Sequence, residues 1–381
     1  MSFQRPLFIE NFLDGQLAGI APTYNPMFIA TGLYAWGLNT SGQIGQGNTT
    51  SPQSSPVQIT GTWTSVAAGN DSAAGIKSDG TLWLWGDNQV GQLGLGDTTN
   101  RSSPTQVLGG GSWARVLKGL NFFTLAYKSD GTLWAWGRNQ DAGQLGVNDF
   151  VNRSAPSLVP GVWSNKFATG YQVSAAIDRS GLLWSWGNGA NGAMGGGSGS
   201  TGFYSAPNQF VAGKWLDVVS GNPSLFNLGG NIIALRSDHT LWAWGKNFGG
   251  ELGVGDTTDR SVPIQVGTDT TWAQIACSTM SAGIKMDGTL WTWGYNNSGE
   301  LGVGDRTPRS SPTQVPGSWI FVSCGVNHML GIKSDGSLWG WGLNSSSQLT
   351  NAVVTATSSP VQITGTWTAV AAGSAHSLGK R

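Results

Sequence analysis

The chain has little of what most catalytic or charge-driven binding chemistry is made from. Charged residues are 10% of its 381 positions, the formal net charge is zero, and there are only 3 histidines and 2 cysteines. Sparse, balanced charge leaves no electrostatic footprint for nucleic acid or an anionic membrane surface, and it excludes long-range steering of a charged ligand. The scarce histidines and cysteines show no metal-ligand spacing. Cys277 and Cys324 each follow a tryptophan by five residues, so they read as equivalent positions of adjacent units and as buried free thiols. A bridge between them would need Cα atoms within about 7 Å. No apolar stretch approaches the ~20 residues of a membrane-spanning helix. At the N-terminus Arg5 is a lone charge, and Pro6, Glu10, Asn11 and Asp14 interrupt any apolar run of the secretion-signal kind.

Tryptophan and glycine are abundant, with 20 and 59 copies. Thirteen tryptophans fall in an aromatic-x-Trp-Gly signature, at Trp83/Trp85, Trp134/Trp136, Trp184/Trp186, Trp242/Trp244, Trp291/Trp293, Trp339/Trp341 and, behind Tyr34, Trp36. The other seven are Trp63, Trp113, Trp163, Trp215, Trp272, Trp319 and Trp367. The second signature tryptophan recurs at spacings of 49, 51, 50, 58, 49 and 48 residues. That is the self-similarity of a propeller or solenoid, in which one unit is too small to bury its own core.

Residues 61–107 show what a unit is built from. Trp63 to Gly69 and Ser72 to Lys77 are short, small-residue-rich apolar runs bounded by turn residues and read as strands. Asp79-Gly80 supplies a tight turn, and the run from Thr81 to Gly86 is a third strand, apolar on both faces, so neighbouring sheets must cover both. A long glycine-punctuated loop follows, ended by Pro104 and a short outer strand. Proline recurs there as Pro56, Pro156, Pro207, Pro263, Pro312 and Pro360, at the expected start of an edge strand, where its missing N–H costs no ladder bond. Four strands per unit with a protected edge make a propeller blade. The C-terminal segment copies the first two strands of a unit, and the N-terminal side resumes with the third. An all-β, seven-bladed propeller closed by pairing of N- and C-terminal strands is therefore expected over residues 29–381, preceded by a short arm over 1–28. All the tryptophans are assigned to the core, each worth ~4–6 kcal/mol of gross burial at ~25 cal/mol per Å².

The run from Gly80 to Asp97, aromatic-x-Trp-Gly-x-Asn followed by Gly-Gln-Leu-Gly-x-Gly-Asp, resembles the regulator of chromosome condensation repeat family, and the resemblance extends over residues 29–381. It implies a seven-bladed propeller whose surface makes protein contacts and performs no chemistry. The family's Cys-Gly-x-x-His pattern survives at Cys324-Gly325-Val326-Asn327-His328, with His376 as a partial echo, and is lost elsewhere. Neutral charge and the lack of a basic tail remove the rationale for chromatin binding or nucleotide exchange. The sequence looks more like bacterial and phage members of the family.

Asn39, Asn88, Asn139, Asn247, Asn296 and Asn344 are expected to bond nearby backbone within the loops. Asp97/Arg101, Asp149/Arg153, Asp256/Arg260 and Asp305/Arg309 are expected to form local ion pairs, with too few oxygens for calcium. His239 replaces the glycine of an Asp-Gly turn. No nucleophile, cofactor or metal site emerges. Function is expected where the units differ. Leu120, Phe122, Tyr171, Leu225, Phe226, Leu228 and Met280 are placed on first-to-second-strand loops along one rim, as apolar material for a protein partner. In the arm, Phe3, Leu7, Phe8, Ile9, Phe12 and Leu13 are too apolar for a free tail and are expected to anchor the chain. These features suggest a virion component, structural or host-recognising, assembled in a host cytoplasm and bound to virion subunits or a host surface molecule. The alternative is a soluble or secreted binding or inhibitor propeller.

Overall fold

The fold is taken from a computed structural model that describes residues 32–119, 122–221, 230–350 and 355–381. These residues form seven four-stranded antiparallel sheets. The first blade shows the local logic. Strand β3 (Trp63–Ala68) lines the axis, β4 (Ser72–Lys77) and β5 (Leu82–Gly86) follow, and β6 (Arg101–Gln106) is the outer edge. Small residues fill β3 and β4 because neighbouring blades converge there, while β5 buries Leu82, Leu84 and Trp85 between blades. Blades 2 to 6 repeat the plan. The seventh is assembled from β27 (Ala369–Ala372), β28 (His376–Lys380), β1 (Leu33–Gly37) and β2 (Gln53–Ile59). Strand β1 pairs with β28 from Leu33↔Lys380 to Gly37↔His376, so the two ends of the chain close the ring as expected.

The core is divided among seven apolar clusters rather than concentrated in one, and each draws on two adjacent blades. The inner-strand and second signature tryptophans are buried there. The first signature ring differs from expectation. Trp83, Trp134, Trp184, Trp242, Trp291 and Trp339 are half-buried. Lys77 lies 3.6 Å from the Trp83 centroid and 5.3 Å from that of Trp63. Lys128, Lys285 and Lys333 repeat this stacking in their own blades. Two residues apart, both signature rings share one face of the strand, but the first sits beside the hairpin that opens the strand, where it packs at the margin of an inter-blade cluster and a lysine stem covers the rest.

The prolines also sit differently. Pro104 lies inside β6, where the register jumps from Leu84↔Thr105 to Gly86↔Arg101. The proline is thus placed in a bulge of an edge strand, which spares it a ladder bond for a different reason than strand-start placement.

Candidate functional site

Loops between first and second strands, and the glycine-rich loops between third and fourth, emerge on the same face of the ring. The shared geometry is visible where the Asp87 N–H donates to the Asp71 carbonyl at 2.8 Å. The glycine-rich loops are rigid constructions. In the first blade, Asn88 Nδ2 donates to the Asp97 and Thr99 carbonyls at 3.1 Å and Asn88 Oδ1 accepts from the Leu93 N–H at 2.9 Å. Asn39, Asn139, Asn247, Asn296 and Asn344 do equivalent work. Arg101 meets Asp97 at 2.6 Å, and the three other expected Asp/Arg pairs form at the same loop position.

Each loop also latches the next blade. Trp85 Nε1 donates to the Gln43 carbonyl at 2.9 Å, Trp136 to Gln92, Trp186 to Gln144, Trp244 to Ala193, Trp293 to Glu251, Trp341 to Glu300, and Trp36 to Gln348 at 2.8 Å. The side chain at the same position bends back. Gln43 Oε1 accepts from the Ser41 N–H, Gln92 from Val90 and Gln348 from Ser346, while Glu251 and Glu300 accept from Gly249 and Ser298. The two glutamates leave Oε1 buried without a hydrogen bond. Burial pushes the Glu251 carboxyl up to about 7 and raises that of Glu300.

The rim residues divide. Phe122 and Tyr171 are half-buried on this face, Phe122 with a positive φ of 58°. Leu120, Leu225, Phe226 and Leu228 lie outside the described residues, although β15 (Trp215–Gly221) and β16 (Asn231–Arg236) confirm that the extra residues join first and second strands. Met280 is not on the rim. It opens strand β20 (Met280–Lys285) and is fully buried in an inter-blade cluster, because the turn before it is one residue tighter than the apolar pattern suggests. The arm residues Phe3 to Leu13 also lie outside the described part.

Sequence reasoning missed the most exposed apolar side chains of this face, Phe248 at 74%, Val151 at 60%, Phe203 and Phe150. Their signal was positional. Phe150 and Val151 stand where other copies have Thr98/Thr99 or Thr257/Thr258, and Phe248 stands where they have Gln89 or Asn297. All four belong to blades 2 to 4, as do Phe122, Tyr171 and the insertion at 222–229.

His328 Nε2 lies 3.0 Å from Ser377 Oγ, but both are sealed from solvent, and burial pushes His328 down to about 3 and His376 to about 4. Both thiols are free, with Cys277 pushed up to about 11 and Cys324 raised, also by burial. Among the described residues no group of three His, Cys, Asp or Glu converges to hold a metal ion. His239 takes its turn with φ 63°, as its place in an Asp-Gly turn suggests.

A closed ring of seven blades, latched by indole-to-loop bonds and presenting one asymmetric apolar rim, defines a β-propeller of the repeat type. The chain belongs to the regulator of chromosome condensation (RCC1) repeat family, whose model matches residues 32–76, 79–118, 130–177, 238–282, 287–332 and 335–379. It is 30% identical over 258 residues to the ultraviolet-B receptor UVR8 of Arabidopsis thaliana, covering 64% of this chain and 56% of that protein. It is 28% identical over 241 residues to the human E3 ubiquitin-protein ligase HERC2, covering 57% of this chain but 5% of the ligase. The chain thus spans about half of the first relative and a small part of the second. Among solved structures, Saccharomyces cerevisiae Prp20p, described with its binding properties to Gsp1p and histones, superposes with a TM-score of 0.79 at 20% identity, over 92% of this chain and 91% of that one. Human WBSCR16 gives 0.79 at 20% identity, over 91% and 99%. These structures share the fold. The bacterial and phage kinship expected from the sequence has no counterpart among these plant, human and yeast proteins.

Proposed function

We propose that the protein is a non-enzymatic docking propeller that engages a protein partner through the loop face of blades 2 to 4. The observation that carries this reading is asymmetry. Among the described residues, blades 1, 5 and 7 place Thr98, Thr99, Asn297 or Thr50 at the loop tips, whereas Phe150, Val151, Phe203 and Phe248 are exposed on three consecutive blades, beside Phe122 and Tyr171. Aromatic side chains clustered on a rigid frame are the material of interface hot spots, and the ion-paired loops beneath them cost little further ordering on binding. The family relationship supports protein contact as the mode of action, and Prp20p has been solved bound to Kap60.

Display on a virion through residues 1–28 is a finer reading, resting on the apolar composition of that segment and the sparse, balanced charge of the chain. Recovery of the chain at fixed stoichiometry in purified particles tests it. For the docking face, the full chain carrying a photo-crosslinking side chain at Phe248 or, as control, at Thr307 is exposed to its native extract. Crosslinking to one protein at 248 and not at 307, reduced at least about tenfold by Phe150→Ser without change in melting temperature, is the expected result. Equal labelling at both sites, or indifference to Phe150→Ser, rules the face out.

A further inference from the structure

The ring encloses a central channel with a volume of about 350 Å³, within the range of small-molecule sites. Its wall is mostly small and apolar, with Val66, Ala68, Leu117, Val219, Ala276 and Ala371 among its lining. The charges on it are unequal. Arg115, Lys118, Lys166 and Lys380 face the single carboxylate Asp217. Lys166 pairs with Asp217 at 3.9 Å, and Lys118 Nζ is turned into the blade interface, bonded to the Gln92 carbonyl and Thr124 Oγ1. Among the described residues, Arg115 and Lys380 are left toward the channel without a carboxylate.

Lys380 breaks the repeat. It pairs with Ala369 on the inner strand at the register where Ile76 pairs with Ser65, Tyr127 with Arg115, Leu235 with Asp217, Ile284 with Gln274 and Ile332 with Phe321. A cation thus occupies a slot that the other copies fill with apolar or aromatic groups. Among the described residues its Nζ makes no hydrogen bond or ion pair, and burial lowers its pKa. Arg115 is held in place by Nη1 donating to the Asn165 carbonyl at 2.6 Å and by stacking on Phe167 at 5.2 Å. Between these two cations, at the register of Arg115, blade 1 presents Ser65 beside Thr64, whose small side chains leave room. Across the ring, blades 5 and 6 present Gln274, Ile320 and Phe321, with no charge.

We propose that the channel binds a small organic anion with an apolar body, its carboxylate or sulfonate on the arc between Arg115 and Lys380 and its body against the aliphatic wall and Phe321. A half-buried cation without a counter-ion is costly, and an anion that brings its own apolar surface relieves that cost while filling the lumen. The docking face is not involved.

The probe is 8-anilinonaphthalene-1-sulfonate, titrated against the full chain by calorimetry and fluorescence, with its uncharged counterpart N-phenyl-1-naphthylamine as control. One sulfonate per chain is expected, bound at least about tenfold more tightly than the neutral probe. Lys380→Ile, which restores the residue type of the other copies and so keeps the fold, and Arg115→Gln are each expected to weaken it about tenfold. Equal binding of both probes, several sites indifferent to either substitution, or no binding would overturn the proposal.

Discussion

At the scale of single residues, the position after the first glycine of Gly-Gln-Leu-Gly decides most. Gln43, Gln92, Gln144 and Gln348 occupy it in four blades and glutamate in two. The backbone bond accepted by Gln43, Gln92 and Gln348 is the same as that accepted by Glu251 and Glu300, so amide and carboxylate both fit sterically, but only glutamate carries a titration. Free glutamate ionises near ~4.3, while burial holds Glu251 at about 7. Below the free value both folded and unfolded chains are protonated and no difference arises. As pH rises toward 7 the unfolded chain gives up this proton while the folded chain keeps it, so the unfolded state is favoured, and above 7 the penalty is constant. Glu251→Gln is therefore expected to stabilise the protein by about 3 kcal/mol at pH 8 and by almost nothing at pH 4. Urea unfolding at the two pH values measures it. An equal effect at both would mean that packing, not ionisation, separates the two residues.

At the scale of elements, strand order and hairpins were legible because each blade repeats a pattern that physics reads one way: alternation, an Asp-Gly turn, an outer proline. The errors fell where an element's exact edge decides a side chain's fate. Met280 sits one step past a tight turn and so belongs to the core. The first signature tryptophans pack only at its margin, beside the hairpin that opens their strand, and Pro104 marks a bulge that needs a register to be seen. The rim was half legible, since Phe122 and Tyr171 lie there, whereas Phe150 and Phe248 become visible only when the copies are laid against one another. The loop-to-blade latch was hidden altogether, being a contact between elements about forty residues apart. Its glycines explain the loop composition. Gly91 has φ +82°, and a Cβ there would come within 2.6 Å of Ser154 Cα on the next blade's outer strand. Gly91→Ala is expected to cost about 2–3 kcal/mol, combining backbone strain with a parting of the two blades. Denaturation midpoints compared with Gly96→Ala, where φ is +85° but nothing lies within 4 Å, separate the two contributions. If both variants lose the same, the latch contributes nothing.

At the scale of the whole molecule, closure makes every blade an interior one. Open repeat arrays fray from their ends, because a terminal unit has a neighbour on one side only. Here the blade built from both chain ends has the same connections as the rest. Trp36 donates to the Gln348 carbonyl across one boundary, and Leu33, Ala35, Trp63 and Trp85 share a cluster across the other. The indole latch gives a like-for-like comparison. Trp36→Phe and Trp186→Phe each remove a fully buried ring N–H from a loop carbonyl, at 2.8 and 2.9 Å. Each leaves its loop carbonyl with a serine hydroxyl, Ser377 Oγ or Ser174 Oγ, as its remaining donor and opens a small void, at about 2–4 kcal/mol. In a ring whose seam is as strong as its other boundaries, the two losses are equal and unfolding stays a single transition. A Trp36→Phe loss under about a third of the Trp186→Phe loss, or an early separate transition in that variant alone, would show that the seam opens before the other blades and that the ring behaves as a line with two ends.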